Sequence, residues 1–320
     1  MQIIRRSTLT YYALLALILG GSAAIVLWHA EEAPWWALLV PAVLALWAGR
    51  RPFRRWRVAQ QSFPEVWQQW LARFVPLYGA FDDDARARFE RDVLFFLDEW
   101  RFEGVADTAV QDRHRLAVAA GAALILHGRP DWELPTKRTI LLYPDRFDDD
   151  YLEGQGADYD GMVHAQGPII LTRQAVEQSW AYPHNGDNVV LHELAHLFDF
   201  THAEAVGVPT LMDPASAEAW ERLVRQEMRR AARGQSLLRP YAADSAEAWE
   251  RLVRQEMRRA ARGQSLLRPY AAENGAELFA VAVENFFERP DVLKRRHEAL
   301  YNALANFFNL DVAGLQRKSP

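Results

Sequence analysis

The chain has no cysteine among its 320 residues. This absence excludes disulfides and thiolate metal ligands, so any bound zinc must be held by histidine, aspartate or glutamate. It fits a reducing cytoplasm without establishing one. An excess of positive charge is missing too: the formal net charge is -5, and no direct nucleic-acid partner is expected. Half of the residues are hydrophobic, which is enough for a substantial core in one or two domains.

The N-terminal segment, residues 1–57, is predicted to form a transmembrane helical hairpin. Its two apolar stretches, 12–28 and 34–48, are separated by a short acidic turn, and each is slightly shorter than the roughly 20 residues of a typical span. Two arginines precede the first stretch and five follow the second at 50–57. By the positive-inside rule both ends lie in the cytoplasm. The expectation is a protein of the bacterial inner (cytoplasmic) membrane, with residues 58–320 facing the cytoplasm. A helical hairpin packed on that domain is the alternative.

Residues 58–320 are predicted to form an α+β domain that is mostly helical with a small sheet. Helical periodicity predicts three helices before the sheet, at residues 66–75, 85–100 and 112–126. A buried strand is predicted at 139–143, and a second strand or hairpin at 162–172, where Pro168 favours an edge position. An edge strand can bind an extended peptide as an additional strand.

A tandem duplication follows in the sequence. Residues 216–243 and 245–272 are identical at all 28 positions, so two copies, 216–244 and 245–273, repeat with a period of 29. Two copies without a difference indicate a duplicated gene segment and not a solenoid, which needs three or more repeats. Each copy has the apolar spacing of an amphipathic helix. One copy is expected to be surplus to the ancestral fold, either as an additional helix or as a surface insertion.

The sequence His-Glu-Leu-Ala-His carries the chemistry, with His192, Glu193 and His196. Residues at i and i+4 share one face of a helix, so both imidazoles can bind one zinc ion. Glu193 can accept a proton from a zinc-bound water, as the general base of a metallopeptidase does. The flanking residues are apolar and include no proline or glycine, which predicts a buried helix. Asp199 lies on the same predicted face and can orient a zinc-binding imidazole.

Two histidines leave the zinc ion short of one protein ligand, and the residues alone leave three candidates open. His202 lies ten residues after His192, as in the pattern HExxHxxGxxH, but Asp199 stands where that pattern has glycine. Glu277 and Glu284 lie seven residues apart on a later predicted helix. Either of these carboxylates could reach the metal if that helix packs against the histidine helix.

Several stretches resemble the Mlc titration factor A family of zinc-dependent peptidases. The stretches that carry the resemblance are residues 75–78, 101–104, 141–145, 188–199 and 269–280. The similarity spans roughly residues 63–310 and is therefore more specific than the five-residue motif alone. The family in turn is similar to the catalytic domain of anthrax lethal factor. The resemblance implies a zincin-like fold.

The resemblance also implies roles for two residues beyond the motif. It places the third zinc ligand at Glu277 and an assisting phenol at Tyr270, seven residues earlier. In the first copy, Tyr241 is followed seven residues later by Ala248, so the first copy is expected to be the surplus one.

The prediction is a membrane-tethered zinc metallopeptidase that acts on a peptide or protein substrate. Members of the resembling family can bind the transcriptional repressor Mlc, which gives an alternative: a regulatory protein that sequesters a partner such as a repressor, with a structural or vestigial zinc site. The intact Glu193 favours the peptidase, since a structural zinc needs no general base.

Overall fold

The computed structural model describes residues 1–3, 6–29, 39–134, 139–144, 161–163, 167–198, 217–220, 222–223, 226 and 275–317. The chain divides into two compact units. One unit comprises Met1–Phe63 with Arg129–Glu133, and the other comprises Pro64–Gly128 with Leu134–Pro320.

The first unit is built on two helices, α1 (Arg6–His29) and α2 (Leu39–Ala59), which pack against each other. No helix in the described part of the chain is long and apolar enough to cross a membrane. The predicted transmembrane hairpin is therefore wrong. The predicted inner-membrane localisation, which depended on that hairpin, is wrong as well, and the predicted membrane partner is unsupported.

The arginines of α2 explain the error. They belong to α2 itself, so this helix is apolar only in its first half. Two of them are bound within the unit: Arg55 lies 2.7 Å from Glu133 Oε1 and Arg51 lies 2.7 Å from Glu133 Oε2. Arg55 is almost fully buried. The sequence pattern had assigned these guanidinium groups to a membrane surface, whereas they bind a carboxylate of the protein.

The second unit begins with the three predicted helices and a short additional one. The elements are α3 (Glu65–Phe74), α4 (Pro76–Gly79), α5 (Asp83–Glu99) and α6 (Asp112–Leu126). Asp82 caps α5, since its side chain accepts a hydrogen bond from the Ala85 N–H at 2.8 Å. The alanine-rich α6 is buried along nearly its whole length and so forms the centre of the unit.

A four-stranded mixed sheet lies among these helices. Its strands are β1 (Arg101–Gly104), β2 (Thr139–Tyr143), β3 (Gly161–Val163) and β4 (Ile169–Thr172), in the order β1-β2-β4-β3. The first three strands in that order are parallel, and β3 pairs antiparallel with β4. Of the strand or hairpin predicted at 162–172, the structure has the pair of antiparallel strands β3 and β4, but the strand that follows Pro168 is not at the edge. Because Pro168 precedes the first paired residue, its missing N–H removes no hydrogen bond from the sheet.

The remaining described elements complete the unit. They are α7 (Arg173–Ala181), α8 (Val189–His196), α9 (Gly275–Glu288), α10 (Pro290–Arg296), α11 (Glu298–Phe308) and α12 (Val312–Gln316). Helix α8 packs against α6, α7, α9 and strands β3 and β4, so the histidine motif lies in the middle of the unit. The predicted mostly helical architecture with a small sheet is confirmed.

Glycine allows α6 and α8 to approach closely. A Cβ atom added at Gly121 would lie 2.7 Å from Val190 Cγ1 and 3.3 Å from Leu194 Cδ1. Both contacts are with α8, and the shorter one is closer than carbon atoms normally pack. The side-chain-free surface at Gly121 is therefore part of what fixes the position of the histidine helix.

One described part of the duplication packs into the core. Residues 217–220, in the first copy, are helical. Trp220 is 1% exposed, and its ring meets that of Phe279 on α9 edge to face at 5.6 Å. The first copy, which was expected to be surplus, thus supplies a buried side chain. The second copy lies outside the described residues.

Candidate metal centre

The two motif histidines lie on one face of α8, as the spacing predicts. Asn188 caps this helix through a hydrogen bond from the Leu191 N–H to its Oδ1 at 3.0 Å. His192 and His196 are both buried, and their Nε2 atoms lie 3.2 Å apart. A buried apolar helix therefore presents two imidazole nitrogens toward one point.

A third possible ligand comes from the first turn of α9. Glu277 Oε2 lies 3.1 Å from His192 Nε2, and Glu277 Oε1 lies 3.4 Å from His196 Nε2. The candidate ligand atoms of His192, His196 and Glu277 all lie within 4.8 Å of one another. Among the described residues, this is the one group of three or more histidine, aspartate or glutamate side chains close enough together to hold a metal ion. Zinc bonds of about 2.0–2.1 Å in tetrahedral geometry place neighbouring ligand atoms roughly 3.3 Å apart. The separations found here fit that geometry.

The same contacts control the charge of the site. Burial alone would lower the pKa of His192, but its hydrogen bonds to Glu277 and Glu284 raise it to about 10. Burial alone would raise the pKa of Glu277, but its hydrogen bonds with His192 and His196 hold that pKa well below its usual range. The site thus combines a carboxylate anion with a histidine that holds its protons firmly. A metal cation would take the place of those protons, so its affinity should fall at low pH.

Glu193 lies between the two histidines in sequence and is 5% exposed. Burial raises the pKa of Glu193, and Glu277 and Glu284 raise it further, while His192 and His196 oppose the shift. A carboxylate with a raised pKa is a stronger base than one in water. The position and environment of Glu193 therefore suit proton transfer.

Glu284, one of the alternative ligands, lies on the other side of the His192 ring. Its Oε1 is 2.8 Å from His192 Nδ1, and its Oε2 accepts a hydrogen bond from the Asn188 N–H at 2.6 Å. Both oxygens are thus engaged away from the Nε2 atom that faces Glu277. The sequence indicated Glu284 as a candidate metal ligand, but it did not predict the contact of Glu284 with His192 Nδ1. The seven-residue spacing from Glu277, which places both on one face of α9, was the available signal.

Three of the predicted site residues remain untested by geometry. Asp199, His202 and Tyr270 all lie outside the described residues. Their proposed roles, in orienting an imidazole, as an alternative ligand and as an assisting phenol, stay predictions.

A helix that carries two histidines four residues apart, with glutamate after the first, is typical of metallopeptidases. The chain belongs to the family of glucose-regulated metallo-peptidases M90, whose sequence pattern matches residues 50–247 and 243–309. The two matched ranges meet at the junction between the duplicated copies. The metallopeptidase class predicted from the motif is thereby confirmed at the level of the family.

Curated relatives support the same assignment. Mlc titration factor A of Edwardsiella ictaluri is 28% identical over 274 residues, which cover 81% of this chain and 92% of the relative. Mlc titration factor A of Pectobacterium atrosepticum is 25% identical over 77% of this chain and 86% of its own length. An uncharacterized protein of Synechocystis sp. is 27% identical over 81% of this chain and 89% of its own length. The predicted family resemblance is confirmed, while the similarity to anthrax lethal factor stays a prediction.

Proposed function

We propose that this chain is a zinc-dependent peptidase in which His192, His196 and Glu277 bind the metal. The observation that carries the proposal is the set of separations of 3.1–3.4 Å among their ligand atoms. These distances suit zinc, and two neutral imidazoles with one carboxylate form a ligand set known from catalytic zinc sites. Membership in a metallopeptidase family supports the choice of peptide-bond hydrolysis as the reaction.

The metal, Glu193 and Tyr270 have separate roles in the proposed reaction. Bound zinc would acidify a water molecule and polarise the scissile carbonyl. Glu193 accepts the proton of the attacking water and passes it to the leaving amine, a role supported by its position beside His192 and by its raised pKa. Tyr270 donates a hydrogen bond to the developing oxyanion, an interaction worth about 3 kcal/mol in comparable sites. The role of Tyr270 rests on the family resemblance.

The sheet suggests how a peptide is held. Among the described strands, β3 is at the edge of the sheet beyond β4, and α8 packs against it. An extended peptide that pairs with β3 would gain backbone hydrogen bonds, and this pairing would align its scissile bond along the histidine helix. We propose an extended peptide or protein segment as the substrate.

The full-length chain and its Glu193→Gln variant provide the decisive comparison. Zinc per chain is measured by elemental analysis, and cleavage of a mixed peptide library is followed by mass spectrometry. Stoichiometric zinc in both proteins with cleavage by the parent alone is the expected result. Equal cleavage by both would refute Glu193 as the general base, and absence of zinc from both would refute the metal site.

The third ligand requires its own test. Glu277→Ala is expected to lose most of its bound zinc, because it removes one of three protein ligands, whereas His202→Ala is expected to retain it. Zinc retained in Glu277→Ala and lost in His202→Ala would overturn the assignment.

A second candidate function follows from the relatives. Their name, Mlc titration factor A, describes titration of a protein called Mlc, and a repressor of that kind is a candidate partner of this chain. Stoichiometric zinc in the parent and in Glu193→Gln, with cleavage by neither, would favour sequestration of such a partner over peptide hydrolysis.

A further inference from the structure

Helix α9 presents three carboxylates to the segment that carries the histidines. Glu277, Glu284 and Glu288 are separated by seven and four residues, so they lie on one face of the helix. Their partners occur in the reverse order along the chain: Glu277 meets His196 and His192, Glu284 meets His192 and Asn188, and Glu288 meets Asn188 and His184. The two segments therefore run antiparallel, with Glu284 in the middle of the contact.

The complete burial of the Glu284 side chain requires an explanation. It is 0% exposed, and a buried carboxylate is costly unless hydrogen bonds compensate for lost hydration. Both of its oxygens are used: Oε1 lies 2.8 Å from His192 Nδ1 and Oε2 lies 2.6 Å from the Asn188 nitrogen. A carboxylate can only accept, so His192 must carry a proton on Nδ1 in this contact.

We propose that Glu284 is a positioning residue that holds both the ring of His192 and the start of the helix that bears it. By keeping the proton of His192 on Nδ1, it leaves the Nε2 lone pair for the metal. By accepting from the Asn188 N–H, it fixes the first turn of α8, where a negative charge also interacts favourably with the helix dipole. This inference rests on the proposed zinc peptidase and adds a determinant of its metal affinity.

Neighbouring contacts support the second half of this role. The side-chain amide of Asn188 donates to the Ser179 carbonyl at 2.9 Å and to Glu288 Oε1 at 3.1 Å. The backbone N–H and the side chain of Asn188 are thus both held, by successive carboxylates of α9 and by the end of α7. Glu284 differs from Glu288 in that it alone also contacts a metal-facing histidine.

Replacing Glu284 by glutamine tests its hydrogen bonds while keeping the size and packing of the side chain. Glu284→Gln retains the shape, but its amide has a single acceptor oxygen for two donors, so its NH2 group must face either His192 Nδ1 or the Asn188 N–H. Turning NH2 toward Nδ1 favours the His192 tautomer protonated on Nε2, which competes with the metal. Loss of such an outer partner of a metal-binding histidine costs roughly 10- to 100-fold in metal affinity.

The test measures zinc affinity directly, without peptidase activity. Full-length parent, Glu284→Gln, Glu284→Asp and Glu288→Gln are stripped of metal, and zinc binding is titrated in competition with a chromophoric chelator. We expect the dissociation constant of Glu284→Gln to rise roughly 10- to 100-fold. Glu284→Asp, which keeps both acceptors on a shorter side chain, should recover part of this loss, and Glu288→Gln should change zinc affinity by less than threefold.

A spectroscopic measurement separates positioning from general stability. In the zinc-loaded parent, nitrogen-15 labelled histidine should show a His192 Nδ1–H proton protected from exchange with water, and Glu284→Gln should lose that protection. Parent-like zinc affinity with an unchanged proton signal in Glu284→Gln overturns the inference, even if the variant unfolds at a lower temperature. Failure of the parent itself to bind zinc would instead refute the proposed function, so the two failures are distinguishable.

Discussion

Glu288 should make the stability of the second unit depend on pH. It is 6% exposed, and burial raises its pKa to about 7, although hydrogen bonds from Asn188 and from the His184 backbone act in the opposite direction. The His184 N–H donates to Oε2 at 2.6 Å. Protonation of Glu288 therefore changes a hydrogen bond to the loop that precedes α8.

The sign of the effect follows from the two protonation equilibria. The unfolded carboxyl ionises near 4.5 and the folded one near 7. The contribution of Glu288 to stability is fully present below the unfolded pKa and is lost as pH rises through the folded pKa, because the unfolded state releases its proton first. At about 1.4 kcal/mol per pH unit, the gap between the two values corresponds to a loss of about 3 kcal/mol.

The assay must isolate this group from the other titrating residues of the site. Metal-free parent and Glu288→Gln are unfolded in urea between about pH 5 and pH 8.5, the range in which most of the loss should fall. Pulsed hydrogen exchange with mass spectrometry on peptides from α8 and α9 gives a segment-specific unfolding midpoint, which avoids assuming that both units of the chain unfold together.

The informative quantity is the stability of the parent minus that of Glu288→Gln at each pH. Histidine and carboxylate titrations common to both proteins cancel in this difference, as does any constant cost of the glutamine. We expect the difference to fall by roughly 2 to 3 kcal/mol toward alkaline pH. A difference that is flat with pH would show that Glu288 ionises normally in the fold, and one that rises would show that its pKa is lowered; either result would refute the reasoning.

Further predictions concern packing and the duplication. Gly121→Ala is expected to lower the thermal stability and the zinc affinity, because overpacking against Val190 costs roughly 1–3 kcal/mol while alanine gains about 1 kcal/mol over glycine in a helix. Gly79→Ala is the matched control: its Cβ would meet nothing within 4 Å, so it should leave the zinc affinity unchanged and should not lower the stability. Deleting one copy or the other yields two chains that differ only in retaining Asp244 or Glu273. Both should fold and bind zinc with equal affinity in calorimetric titrations, whereas loss of folding in both would show that neither copy is surplus.

The local part of the site could be predicted from sequence. The spacing of His192 and His196 places them on one helix face whatever the surrounding fold is. Asn188 before an apolar run gives a start signal for the helix. The helices at 66–75, 85–100 and 112–126 were predicted for the same reason, since periodicity and caps are properties of neighbouring residues, whereas β1, which precedes the third of them, was not predicted.

The assignment of contacts across distant segments could not be predicted in this way. Glu277 and Glu284 were both candidate ligands because both lie on one face of the same helix. Which carboxylate meets which nitrogen of His192 depends on the antiparallel packing of α9 against α8, and that register is set by tertiary contacts. The residues alone reduced the candidates for the third ligand to His202, Glu277 and Glu284. The family resemblance, not the spacing, favoured Glu277.

The error at the N-terminus has the same origin. Apolar stretches and flanking arginines are local signals that a membrane span and a helical hairpin of the protein share. The contact that distinguishes them here joins Arg51 and Arg55 to Glu133, which lies 82 and 78 residues away in the chain. No local pattern marks Glu133 as a partner for these arginines.

The duplication shows why the metal centre can tolerate change in the chain that connects its parts. Eighty residues separate His196 from Glu277, and 51 would remain if one 29-residue copy were removed. The entropy of loop closure grows only with the logarithm of length, so the added copy costs roughly 0.4 kcal/mol. At the metal centre the register of α8 against α9 is set by Glu277, Glu284 and their partners, and loss of one buried charged partner typically costs several times that amount. Side-chain pairing therefore determines the geometry of the site, and the duplicated segment can affect activity through what it covers more than through the distance it adds.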